Sequence, residues 1–173
     1  MKVTTDNFHQ QLQSLWSIES MLVEAMPRMI QKASNFGLQK SLAMHFEETR
    51  QHKVAVEAIC KGLDINPKAG EPNAELQNIL LLGEQAMKGK SAGNDLDAAI
   101  IANAQDVEEC EMAAYELAGN AAKALGYKGI AGRLFLSFEE ERQSDTKLKF
   151  LEKSLFSGKA EQDRKEVISM EER

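Results

Sequence analysis

Apolar residues recur along this chain at helical spacing, and in four places the row is interrupted at its middle by ionisable side chains. The first row runs Phe8, Leu12, Leu15, Glu19, Leu22, Met26, Ile30 (or Met29) and Ala33. Steps of three and four residues return to one face of a helix, so a long amphipathic helix is expected. A cap among Thr4, Thr5 or Asp6 would open it, and Asn35-Phe36-Gly37 would close it. Pro27 lies inside the pattern, where a bend or local widening is expected.

A second row follows almost at once: Leu38, Leu42, His45, Glu48, His52, Val56, Ile59, Leu63. Three consecutive members are ionisable. The tight connection at Gly37 makes the first two helices antiparallel neighbours. Residues 64–73 are rich in turn formers, 74–88 suit a short helix, and 89–95 form a second break. A connection of that length can cross a bundle from end to end.

The third row is Ile101, Ala104, Glu108, Glu111, Tyr115, Ala118, Ala122 and Leu125, on a helix expected from about 96 to 125. The fourth is Ile130, Leu134, Phe138, Glu141, Asp145, Leu148, Leu151 and Leu155, on a helix from 128 to about 156. The reading is therefore all-α: a four-helix bundle over residues 1–158, with a long crossover containing a short helix between helices two and three. The charged segment 159–173 is expected to be a flexible tail.

Antiparallel packing would bring the four interruptions to one level. A buried carboxylate is costly unless it is paired, protonated or bound to a metal. Glu19, Glu48, His52, Glu108, Glu111, Glu141 and Asp145 are thus the candidate ligands of a shared centre. Facing helices that each project a glutamate inward make a dinuclear carboxylate site, and oxygen-rich ligation with some imidazole suits iron or manganese. His45 reads as a partner of Glu48 or a hydrogen-bonded core histidine in preference to a ligand. Tyr115 reads as core, with a hydroxyl that could reach a buried carboxylate. Taken singly, each of these residues is more simply a surface charge on a misdrawn face, since Glu109, Glu139 and Glu140 lie only about 100° away. Four coincident interruptions favour the shared site. No catalytic group stands out.

Composition narrows the picture further. The 173 residues carry a net charge of −6, and no basic stripe points to nucleic acid. No apolar run matches a signal peptide or a membrane span. Cys60 and Cys110 are isolated in sequence, as expected of buried thiols in a cytoplasmic protein.

The segments Trp16-Ser17-Ile18-Glu19, His45-Phe46-Glu47-Glu48-Thr49, Ala104-Gln105 through Glu108-Glu109-Cys110-Glu111 to Tyr115, Leu125-Gly126-Tyr127, and Glu139-Glu140-Glu141 to Asp145 resemble the YciE/YciF-type ferritin-like stress proteins of bacteria. The resemblance spans roughly residues 5 to 156. It implies a rubrerythrin-like bundle, usually a cytoplasmic homodimer, associated with stress responses. The superfamily's Glu-x-x-His pairs are absent: Gln51 and Ser144 stand where histidines would, with His52 and Asp145 one step on. The expectation is a ferritin-like protein with two iron or manganese ions in its core, reacting with oxygen or peroxide. If it is an enzyme, it is a di-metal oxidoreductase of peroxidase or ferroxidase type. The rival readings are a non-enzymatic dimeric bundle with an empty centre, acting through protein partners, and a module binding a small ligand in its core.

Overall fold

The computed structural model describes residues 3–171, and among them the regular structure is helical. Four long helices, α1 (Thr5–Lys32), α2 (Phe36–Gly62), α4 (Asn94–Ala124) and α5 (Lys128–Glu171), carry the bundle. The short α3 (Ala74–Met87) and a 3-10 turn at Pro67–Ala69 lie in the crossover between α2 and α4. The all-α reading with a helix inside the crossover matches this architecture.

Local signals explain the boundaries. The Thr4 side chain accepts from the Asn7 N–H and opens α1, while Asn35 and Asn73 accept from Leu38 and Leu76 to open α2 and α3. Asn35-Phe36-Gly37, expected as a stop, is therefore a start: Asn35 is the cap and Gly37 already lies within α2. Buried Asp97, in the first turn of α4, accepts from Ser34 N at 2.7 Å, Ser34 Oγ at 2.8 Å and Asn35 N at 2.9 Å. That one carboxylate ties the α1–α2 corner to the start of α4. Pro27 leaves α1 unbroken to Lys32; it is exposed, so the carbonyl its ring frees can turn to water.

Helix α5 departs from expectation at its far end, running through Ser157 and Gly158 to Glu171. Ser157 Oγ bonds back to the Lys153 carbonyl at 2.8 Å within the helix and makes no cap. A lone interior glycine costs only about 1 kcal/mol, not enough to stop a helix. Of the expected 159–173 tail, residues 172 and 173 lie outside the described residues.

The core is apolar at both ends and polar between. Phe8, Leu12, Leu15, Val56, Ala118 and Leu134 fill one end; Met29, Leu38, Leu42, Ile100, Ile101 and Leu148 fill the other. Helix α3 adds a third cluster, with Leu76 packed near Ile18, Leu22, Met26 and Val107. Gly83 permits that close docking, because a Cβ there would fall within 2.2–2.3 Å of the Asn103 amide. Cys60 and Cys110 are buried free thiols, as expected. The helices thus hold a polar layer away from solvent between two dry plugs.

Candidate metal centre

Each long helix delivers its share of this layer from the inward face. Glu19 on α1, Glu108 and Glu111 on α4, and Glu141 on α5 are at most 1% exposed, His52 on α2 is 1% exposed, and His45 is 5% exposed. Their donor atoms form two groups. His45, Glu108, Glu111 and Glu141 compose one; Glu19, His52 and Glu141 compose the other. Glu141 belongs to both.

In the first group His45 Nε2 lies 3.3 Å from Glu108 Oε1 and 3.7 Å from Glu111 Oε2. Its Nδ1 lies 3.6 Å from Glu48 Oε2 and 3.7 Å from Glu141 Oε2. None of these contacts is a hydrogen bond, and both ring nitrogens lack a partner among the described residues. Glu108 is anchored from outside the group by Ser144 Oγ, which donates to Oε1 at 2.6 Å.

The second group is held more firmly. Tyr115 donates its hydroxyl to Glu19 Oε1, and its ring meets the edge of His52. His52 Nδ1 lies 2.7 Å from Glu141 Oε1 and 3.8 Å from Glu19 Oε1. On the other side of the ring, Nε2 makes a 2.7 Å hydrogen bond with Glu140 Oε2.

Burial and mutual repulsion dominate the electrostatics. Burial, reinforced by Glu141, lifts the Glu19 carboxyl to about 8; burial likewise lifts Glu108 to about 8 against the pull of His45. Glu111 is raised well above the carboxylate range by burial and then by Glu141. Burial opposes charge on His52, yet its contacts with Glu141 outweigh that and raise the ring to about 9. His45 is raised in the same way, against its own burial, by Glu111 and Glu48. Without an ion, the layer lowers its charge by holding protons.

Does this donor set fit a metal? Buried polar atoms normally find partners. Here Glu19 Oε2, Glu108 Oε2, both oxygens of Glu111 and Glu141, both nitrogens of His45 and Nδ1 of His52 have no hydrogen-bond partner among the described residues. Within each group the donor atoms lie within 4.8 Å of one another. Donors on opposite sides of an ion at about 2.2 Å are roughly 4.4 Å apart, so little movement separates these groups from coordination. Four buried carboxylates also balance the four positive charges of two divalent ions. The donors fit.

Of the residues expected from sequence, the structure brings together Glu19, His52, Glu108, Glu111 and Glu141, with Tyr115 hydrogen-bonded to the cluster. His45, expected to stand behind the ligands, is a member of the first group. Glu48 and Asp145 belong to neither. The Glu48 side chain is 33% exposed and its Oε2 stands 3.6 Å from His45 Nδ1. Asp145 is buried, but its Oδ2 pairs with Lys149 at 2.6 Å. Two contributors escaped sequence reading. Ser144 stands out in sequence only as the residue in place of a histidine, with no sign of its bond to Glu108, and Glu140 sits about 100° from Glu141. The sole hint for Glu140 was its place beside Glu141.

Comparison with known proteins agrees with this architecture. The chain is 28% identical over 162 residues to Protein YciF of Escherichia coli (strain K12), covering 93% of this chain and 97% of that protein. The crystal structure of the E. coli stress protein YciF superposes with a TM-score of 0.84 at 26% identity, over 91% of this chain and 99% of that one. YcfI from Rhodopseudomonas palustris superposes with a TM-score of 0.79 at 29% identity, over 86% and 95%. Residues 3–161 match the family model described as Domain of unknown function (DUF892). With the helical order, the YciF-like fold and this match in agreement, the chain belongs to the DUF892 family.

Proposed function

We propose that the protein is a dinuclear metal protein whose bundle centre takes two iron or manganese ions and acts on oxygen or peroxide in stress protection. The observation that carries this reading is the sharing of Glu141 between two buried His/Glu groups whose oxygens are largely without partners. Two ions held there would supply Lewis acidity and electrons for reduction of an oxidant. Oxygen and nitrogen donors without thiolate favour iron or manganese over softer ions.

The chain's own residues have defined tasks in this scheme. Glu108, Glu111 and His45 would hold one ion, Glu19 and His52 the other, and Glu141 would contribute to both. Ser144 orients Glu108, and Tyr115 orients Glu19 while keeping a proton at Oη beside the centre. The apolar plugs exclude bulk water. Twofold binding of iron or manganese after anaerobic loading, measured by elemental analysis of gel-filtered protein, with peroxide consumption that follows metal content, is the expected outcome. Failure to retain either metal would leave a protonated polar layer and direct the search to protein partners.

A further inference from the structure

We propose that Glu140 is a positioning residue that aims His52 Nδ1 into the centre by holding the opposite nitrogen of the ring. This rests on the dinuclear reading. Consecutive residues of α5 straddle one imidazole: Glu141 Oε1 lies 2.7 Å from Nδ1, and Glu140 Oε2 lies 2.7 Å from Nε2. A ring that donates Nε2–H outward to a carboxylate has Nδ1 available as an inward donor atom. An outer carboxylate of this kind fixes ring orientation and tautomer and strengthens the imidazole as a ligand. Glu140 is 42% exposed and reaches the buried ring from the solvent side. His45 has no equivalent among the described residues, because Glu48 stands 3.6 Å from its Nδ1, beyond hydrogen-bond reach. The two metal positions are therefore built differently, and Glu140 serves only one.

Cobalt(II) titration of the full-length metal-free protein, followed by absorption and chelator competition, tests this with Glu140→Ala, Glu140→Gln and Glu139→Ala. Glu139 is an exposed neighbour paired with Arg142, and its removal controls for the lost surface charge. In Glu140→Ala, roughly 10–100-fold weaker binding is expected at the Glu19/His52/Glu141 position, with an altered cobalt spectrum, while the other position stays within about threefold. Glu140→Gln should recover most of the affinity, because its amide oxygen still accepts from Nε2–H, and Glu139→Ala should match the unsubstituted protein. Unchanged binding in Glu140→Ala, equal losses in Ala and Gln, or equal weakening of both positions would each overturn the proposal. If the unsubstituted protein binds no cobalt, the dinuclear reading is what fails. The ¹⁵N signals of the His52 ring in metal-free protein then decide Glu140: a change in Glu140→Ala supports its hold on the ring, and no change refutes it.

Discussion

The two halves of the buried layer share Glu141 but differ in how they hold together before any ion arrives. Around His52, hydrogen bonds from the periphery fix the geometry: Glu140 holds the ring, and Tyr115 holds Glu19. Around His45, the ring sits 3.3–3.7 Å from four carboxylates and makes an aligned hydrogen bond with none of them. Both halves leave donors without hydrogen-bond partners among the described residues, but the His52 half is preorganised by these outer bonds and the His45 ring has none. Preorganised donors lose less freedom on binding, so the His52 position should fill first and the His45 position second.

The largest effect is expected where the halves meet. Glu141→Gln keeps the shape but removes the charge both positions share, so metal content should fall from two ions to none after gel filtration. The loss of affinity should exceed the roughly 10–100-fold typical of an outer partner. Retention of one ion would mean that the carboxylate serves a single half.

A change of pH should act on both halves together. The folded values of Glu19 and Glu108, about 8, lie above the ordinary 4.5, and that of His52, about 9, lies above 6.5. Each such group contributes stability that is complete below its unfolded value and is lost as pH rises through its folded value. The metal-free protein should therefore weaken steadily between about pH 4.5 and 9. Glu48, held below its usual range chiefly by His45, works the other way and lowers stability as pH falls past it. Each pH unit between folded and unfolded values is worth about 1.4 kcal/mol. The combined fall should be several kcal/mol, on the order of 10 °C in melting temperature for a chain of this size. Metal loading should flatten the profile and raise the melting temperature most at high pH, because bound ions replace the protons. A metal-free melting temperature that rises from pH 5 to 9 would contradict the burial argument.

Histidine substitutions separate the halves. His45→Gln and His52→Gln should each leave about one ion per chain. Without metal they should differ: His52→Gln removes a charge-assisted hydrogen bond at a cost of about 1.5–3 kcal/mol, whereas His45→Gln breaks no aligned bond and should cost less. Equal destabilisation in chemical unfolding would erase the distinction between the two sides.

Much of this centre was legible because unbroken helices keep their register over many turns. Glu19, Glu108, Glu111, Glu141 and His52 reach one level because α1, α2, α4 and α5 are long and continuous. The errors arose where a polar residue could be buried without appearing apolar. On α2 the sequence row passes through Glu48, yet Thr49 takes the inward place, its hydroxyl satisfied by the His45 carbonyl at 2.9 Å. His45, Thr49, His52 and Val56 then share a face, and Glu48 falls roughly 70° from its centre at 100° per residue. Partners of that sort belong to three-dimensional packing. No periodicity reports them.

The smallest effects fall on the two residues that sequence favoured and neither group includes. Glu48 is one-third exposed, so solvent screens its attraction for His45, and exposed ion pairs contribute about 0–1 kcal/mol. Asp145 spends one oxygen on Lys149, whose side chain is 55% exposed, which draws that end of the carboxylate toward solvent. Glu48→Gln and Asp145→Asn should therefore retain two ions, with affinity changed by no more than about fivefold, the equivalent of 1 kcal/mol. The Glu48 variant is the more demanding of the two. Loss of one ion in Glu48→Gln, with His45→Gln unaffected, would return the ligand role to the carboxylate and leave His45 as its support. The ion would then lie nearer the seam between α2 and α5, and the contrast between a preorganised half and a looser half would have to be redrawn around Glu48.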